Sequence, residues 1–266
     1  LEFLEDEVFD ISEFLIDPNI EVKPPTPILS FEYNGKTVPI FTEDNISMIQ
    51  GPAKSRKSTF LKVVVSTILK GGYYENGRLL KSYYERNNIA IADTEQSKFW
   101  CWMTTKIIKY LSGKNVVYYS IAGVSIEKKK KLIEEHLKRN PDCGFMVLDN
   151  IVHFLQNYND ATESAQLNEW LIKIKKQYNC HLTLVLHENG SDMGNRKAKG
   201  HLGSLLENTC ETVIRVEKDN NNKKRSIVSP KATRDMEFEP FTIEVDYQGT
   251  PYISILEEYE NTKIKI

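Results

Sequence analysis

The sequence predicts an α/β fold in which a mainly parallel sheet is flanked by helices and followed by a strand-rich C-terminal extension. Three observations carry that expectation. From residue 30 onward, short apolar runs alternate with longer amphipathic stretches, the pattern of strands crossing over through helices. One of those runs leads into a glycine-led polar loop that opens a helix. Beyond residue 210 helical spacing stops and only strand-like runs remain.

Composition sets the bounds. The chain has 266 residues, 40% hydrophobic and 27% charged, which is ordinary for a globular protein able to bury a core without disulfides. Thirty-five basic residues against thirty-seven acidic ones give a net charge of −2, so any nucleic-acid contact must come from a local basic patch. No apolar run reaches the roughly 18 residues of a membrane span. Four widely spaced cysteines, Cys101, Cys143, Cys180 and Cys210, form neither a CxxC pair nor a Cys/His cluster. These features lead us to expect a cytoplasmic protein without membrane association. Leu1 in place of an initiator Met is compatible with a domain cut from a longer chain.

Taken in order, residues 1–19 interleave Glu2, Glu5, Asp6, Glu7, Asp10 and Glu13 with Phe3, Leu4, Val8, Phe9, Ile11, Phe14 and Leu15, which predicts an acidic amphipathic helix. Pro24, Pro25 and Pro27 then interrupt, so residues 1–28 read as an acidic segment and linker, and 29–266 as the main domain. Buried strands are expected at Ile46–Ile49, Ile89–Ala92, Val116–Ile121, Phe145–Leu148 and Leu182–Leu186. Helices are expected at Thr59–Leu69 and Ala161–Tyr178, the second with Leu167, Trp170, Leu171 and Ile174 on one face. Thr212–Val216, Ile227–Ser229, Phe241–Val245 and Tyr252–Leu256 form the strand-rich tail, with 220–224 as a hairpin loop.

The chemistry concentrates at strand ends. Gly51-Pro52-Ala53-Lys54-Ser55-Arg56-Lys57-Ser58-Thr59 follows one strand and opens one helix, the setting in which backbone N–H groups and a helix N-terminus converge on phosphate oxygens. There Lys57 would reach the β and γ phosphates and Ser58 would ligate magnesium. Arg56 stands where such loops usually carry glycine, so it must either avoid the left-handed region or strain the loop.

Ile89–Ala92 ends in Asp93-Thr94-Glu95; Glu95 would face the same crevice and activate a water, whereas Asp93 reads as one residue too far back. Asp149, after Phe145–Leu148, is the candidate to hold magnesium through water. His187, after Leu182–Leu186, is positioned to hydrogen-bond the γ phosphate. The polar loop beyond it carries Arg196, Lys197 and Lys199, which read equally as a solvated loop or as a contact for an anion such as DNA. Residues 153–163 form a second candidate loop, with Phe154 and Tyr158 as base-stacking or core aromatics. Lys231 and Arg234 read either as surface ion pairs or as cations reaching a neighbouring subunit's γ phosphate.

In this order, these residues resemble the RecA-like ATPases, and within them the hexameric helicase branch of RepA-type and DnaB-type proteins, over about residues 30–256. The segment Lys199-Gly200-His201-Leu202-Gly203-Ser204, followed by Glu211-Thr212-Val213, is part of the likeness. The resemblance implies ATP and Mg2+ as ligands, Glu95 as base, Asp149 as magnesium support and His187 as phosphate sensor. It also implies a homo-oligomer, a hexameric ring, in which Lys231 or Arg234 acts between subunits, with single-stranded DNA as partner. Lys-x-x-Arg here replaces the DnaB-type Lys-x-Arg, and His187 replaces the usual glutamine. The arginine-bearing loop is similar to mobile-element ATPases joined to a primase or other replication domain. A regulatory ATPase or a nucleotide-gated assembly module of the same fold is the alternative function.

Overall fold

The computed structural model describes residues 11–188 and 200–256. A hairpin of β1 (Pro27–Tyr33) and β2 (Lys36–Thr42) leads into β3 (Ile46–Gly51) and α1 (Lys57–Lys70). Two short strands, β4 (Gly72–Tyr73) and β5 (Leu80–Ser82), precede β6 (Asn88–Asp93), α2 (Lys98–Ser112) and β7 (Val117–Ser120). Then come α3 (Ile126–Arg139), β8 (Cys143–Asp149), a 3-10 turn at Ile151–Phe154, α4 (Ala161–Tyr178) and β9 (His181–His187). After α5 (Gly200–Thr209) the described chain holds only strands: β10 (Thr212–Lys218), β11 (Ser226–Thr233), β12 (Phe241–Val245) and β13 (Pro251–Ile255).

The main sheet runs β13-β12-β11-β10-β3-β9-β8-β6-β7. From β10 to β7 every pairing is parallel, and β11, β12 and β13 extend the sheet antiparallel. A parallel sheet buries both faces, which is why β3 and β8 are buried at every residue and read as unbroken apolar runs. Alternation sorts their side chains: Ile49, Ile89, Ile91, Phe145 and Val147 enter one core, and Met48, Ala90, Ala92, Met146 and Leu148 the other. The first core is covered by α1, α2 and the small sheet β2-β1-β5-β4; the second by α3, α4 and α5.

Helix α1 contains Val63, Val64, Val65, Thr67 and Ile68, residues with weak helix preference, and is apolar nearly all round. Its helicity follows from burial between the two sheets, and Gly71, at φ 71°, closes it with its N–H on the Thr67 carbonyl. Helix α2 buries Cys101, Thr104 and Ile108 but leaves Phe99, Trp100, Trp102 and Tyr110 exposed. Its aromatics therefore break the stripe that marks a helix in sequence.

Two expectations change. The acidic helix is absent over its described part: residues 1–10 lie outside the described residues, and from Ile11 there is one 3-10 turn, with Phe14, Leu15 and Ile16 exposed. An apolar stripe with nothing to pack against does not sustain a helix, and Asp17 turns the chain by accepting the Asn19 N–H at 2.9 Å. Phe154 is fully buried against Trp170, at 6.0 Å between ring centroids, so it is a core aromatic and not a stacking platform.

Phe241 joins the antiparallel extension to the rest: it is fully buried, stacks on Phe31 of β1 at 5.8 Å and meets Phe60 of α1. Phe241→Ala is expected to lower stability by about 3–5 kcal/mol in urea titration. A single transition should persist, because the extension shares its core with α1.

Candidate functional site

The parallel strands deliver Gly51, Asp93, Asp149 and His187 to one edge of the sheet, where a cavity of about 260 Å³ opens. It is lined by Lys54–Ser58, Asp93, Glu95, Gln96, Asp149, Val185 and His187. The structure thus gathers the loop with Glu95, Asp149 and His187. Asp93 lines the same cavity, contrary to the expectation from strand alternation. It is the last residue of β6, so the chain is already turning, and its carboxylate accepts the N–H groups of Glu95 and Gln96 at 2.9 and 2.8 Å and the Tyr118 hydroxyl at 2.7 Å.

The loop takes its shape from three residues. Gly51 has φ 155°, and a Cβ there would stand 2.0 Å from the Val216 carbonyl oxygen, so only glycine fits. Lys54 and Arg56 both adopt the left-handed region, at φ 63° and 73°. Backbone turns of this kind point successive N–H groups into one concavity. Arg56 therefore does take the glycine conformation, at a cost of about 1–3 kcal/mol. Its guanidinium offsets that cost by donating to Ser226 Oγ and the Lys223 carbonyl, both at 2.9 Å, which tie the loop to the β10–β11 hairpin.

Lys57 is buried, and its ammonium donates to the Gly51 and Pro52 carbonyls and to His187 Nδ1, each at 2.9 Å. An ammonium only donates, so Nδ1 is the acceptor and the ring proton sits on Nε2. Nε2 then faces Glu95 Oε2 at 3.4 Å, while the Asn150 amide donates to Glu95 Oε1 at 3.1 Å. Both oxygens of Glu95 are therefore engaged. The hydrogen bond from His187, and then that from Asn150, hold the Glu95 carboxyl down at about 2 against its partial burial. Burial lowers the Lys57 ammonium to about 8, opposed by Asp149, Glu95 and Glu188. Asp149 is pushed up to about 7 by burial and by the charges of Asp93 and Glu95, with Lys57 pulling the other way.

The cradle fits a phosphate chain with its cation. Ser55 Oγ is buried without a hydrogen-bond partner among the described residues, beside the left-handed turns. Asp149 holds a carboxylate whose charge burial opposes, the condition that a bound cation relieves. Ser58 stands at the second position of α1 on the same cavity, so Ser58 and Asp149 can share a cation.

Other expected residues lie elsewhere. Lys231 pairs with Glu207 of α5, and Arg234 donates to the Thr209 carbonyl at 3.2 Å; neither lines the cavity. Arg196, Lys197 and Lys199 lie outside the described residues. The start of α5, next to them in sequence, meets the other candidate loop, because Leu202 N–H donates to the Tyr158 carbonyl at 3.1 Å. The sequence reading missed Asn150 and the buried pair of Glu188 with Arg215, whose Nε lies 2.8 Å from the carboxylate. Neither carried a sequence signal, since each depends on a contact between distant strands.

The raised Asp149 value fixes a sign. A carboxyl that holds its proton more tightly when folded loses stability as pH rises from its ordinary value of 3.8 to about 7, and the whole cost is present above that. In metal-free buffer, Asp149→Asn should raise Tm at pH 8 by roughly 5 °C and leave it nearly unchanged at pH 4.

No family model matches the chain, and no curated protein matches it. Solved structures do match. The ATPase domain of a DnaB-type helicase superposes with a TM-score of 0.57 at 11% identity, covering 80% of this chain and 85% of that one. The RadB recombinase superposes with a TM-score of 0.55 at 13% identity, covering 81% and 92%. At such identities the likeness is one of fold. Together with six parallel strands, an antiparallel C-terminal extension and a loop-bearing edge, it shows that this chain has the fold of the RecA-like ATPases.

Proposed function

We propose that the chain is an ATP-hydrolysing motor that works as a homo-oligomer and couples turnover to single-stranded DNA. The observation that carries the ATPase reading is the Lys57–His187–Glu95 chain, a buried cation and a carboxylate joined by one imidazole on a phosphate-shaped cradle.

In this reading the loop N–H groups bind the phosphates, and Lys57 turns from the Gly51 and Pro52 carbonyls toward the β and γ oxygens. Magnesium held by Ser58 and Asp149 would neutralise charge on the transferred phosphoryl group. Glu95, ionised at neutral pH, orients the attacking water and receives its proton as the oxygen bonds to phosphorus and ADP leaves. His187 loses its Lys57 partner when the ammonium turns, so the imidazole becomes sensitive to the γ phosphate.

The likeness to the helicase ATPase domain and the RadB recombinase supports an assembly acting on DNA. So does the convergence of the Tyr158 loop with α5, at the end of the segment carrying Arg196, Lys197 and Lys199. Lys231 or Arg234 would serve a neighbour's phosphate only after leaving Glu207 or the Thr209 carbonyl. Assembly is therefore the step at which those contacts change.

The decisive experiment is ATP hydrolysis by the purified chain with and without single-stranded DNA. Lys57→Ala should abolish turnover and weaken ATP binding. Glu95→Gln should keep binding and lose about 10²–10⁴-fold in rate. Turnover unaffected by DNA would replace the motor with a regulatory ATPase. Neutralising Arg196, Lys197 and Lys199 should lower DNA affinity and flatten the logarithmic salt slope by about 2. An unchanged slope would remove that segment from the DNA contact.

A further inference from the structure

Asn150 follows the β8 carboxylate and is almost wholly buried, at 1% exposure. Its side chain has two ends and both are used. Nδ2 donates to Glu95 Oε1 at 3.1 Å, and Oδ1 accepts the Val152 N–H at 3.3 Å, capping the 3-10 turn Ile151–Phe154. The amide orientation is fixed by chemistry, because a carboxylate can only accept and a backbone N–H can only donate.

The turn is braced in its own right. The Lys129 ammonium, buried on α3, donates to the His153 carbonyl at 2.8 Å. Thr94, the residue before Glu95, places its hydroxyl 2.7 Å from His153 Nδ1 and accepts the Asn150 N–H at 2.9 Å. The same turn leads into the loop whose Tyr158 carbonyl holds the start of α5. One amide therefore stands between this surface segment and one oxygen of Glu95, while His187 faces the other oxygen.

We propose that Asn150 is a positioning residue that makes the placement of Glu95 depend on the Ile151–Phe154 turn, so that a partner shifting residues 151–160 changes the rate of hydrolysis through this amide. The inference rests on Glu95 being the base. Two hydrogen bonds define the direction of a carboxylate, and removal of one leaves it free to rotate about its last torsion.

Asn150→Ser tests this without a charge change. Serine can still cap the turn but is too short to reach Glu95. The full chain is assayed for kcat and for ATP Kd with a fluorescent analogue, in the wild type, Asn150→Ser, Glu95→Ala and the double variant. Expected is a fall in kcat of about tenfold with Kd changed less than about twofold, and no further fall when Asn150→Ser is added to Glu95→Ala. Thermal melts of the four proteins should be non-additive in Tm, which reads the Asn150–Glu95 contact without turnover.

A wild-type rate in Asn150→Ser, or an equal loss in the Glu95→Ala background, overturns the proposal while leaving Glu95 as base. Wild-type turnover that survives Glu95→Ala overturns the base assignment, and this proposal with it. If Asn150→Ser does not fold, Asn150→Asp keeps the capping oxygen, and an unaltered kcat there is equally fatal.

Discussion

One buried ammonium organises this protein's sheet edge. Lys57 stands within reach of three carboxylates, Asp149, Glu95 and Glu188, and burial alone would drive off its proton. The carboxylates keep it charged, and it in turn lessens the cost of burying Asp149. The loop carbonyls of Gly51 and Pro52 and the ring of His187 saturate its three donors. Removing any one member leaves an unpaired charge or donor in a confined space, so the site folds as a unit.

The architecture around it serves that placement. Parallel pairing makes four chemically distinct strand ends converge, and the antiparallel strands beyond β10 contribute backbone where it is needed. The Val216 carbonyl closes the space beside Gly51, and Ser226 receives Arg56. The C-terminal extension is therefore part of the wall against which the loop is moulded. The aromatic cluster linking Phe241 to Phe31 and Phe60 ties that wall to α1, the helix that carries Lys57 and Ser58.

Much of this was legible in the sequence, for a physical reason. Strands buried on both faces must be apolar throughout, so β3, β6, β8 and β9 stand out, and the polar residue ending each marks the edge of the sheet. Helix α4 showed its stripe because Leu167, Leu171 and Ile174 all face the core. Helix α3 hid, since its buried set is Lys129, Ile133, His136 and Leu137, half of it polar, and α2 hid behind exposed aromatics. The small sheet was missed because its strands are short or irregular, with β1 bulged against β2. Asp93 and Asn150 were misjudged or overlooked for one cause: strand periodicity stops predicting direction where the chain leaves the sheet.

Arg56 carries a consequence that concerns entropy. Glycine in its place would let the unfolded chain sample many more backbone states and would let the folded loop flicker among several shapes. Arginine narrows that range, and its two anchors on the β10–β11 hairpin select one shape. The ordering that a flexible cradle undergoes when an anion arrives is here completed during folding. Recognition at this loop is accordingly rigid: an anion of matching outline meets finished geometry, and one of different outline finds little capacity to adapt.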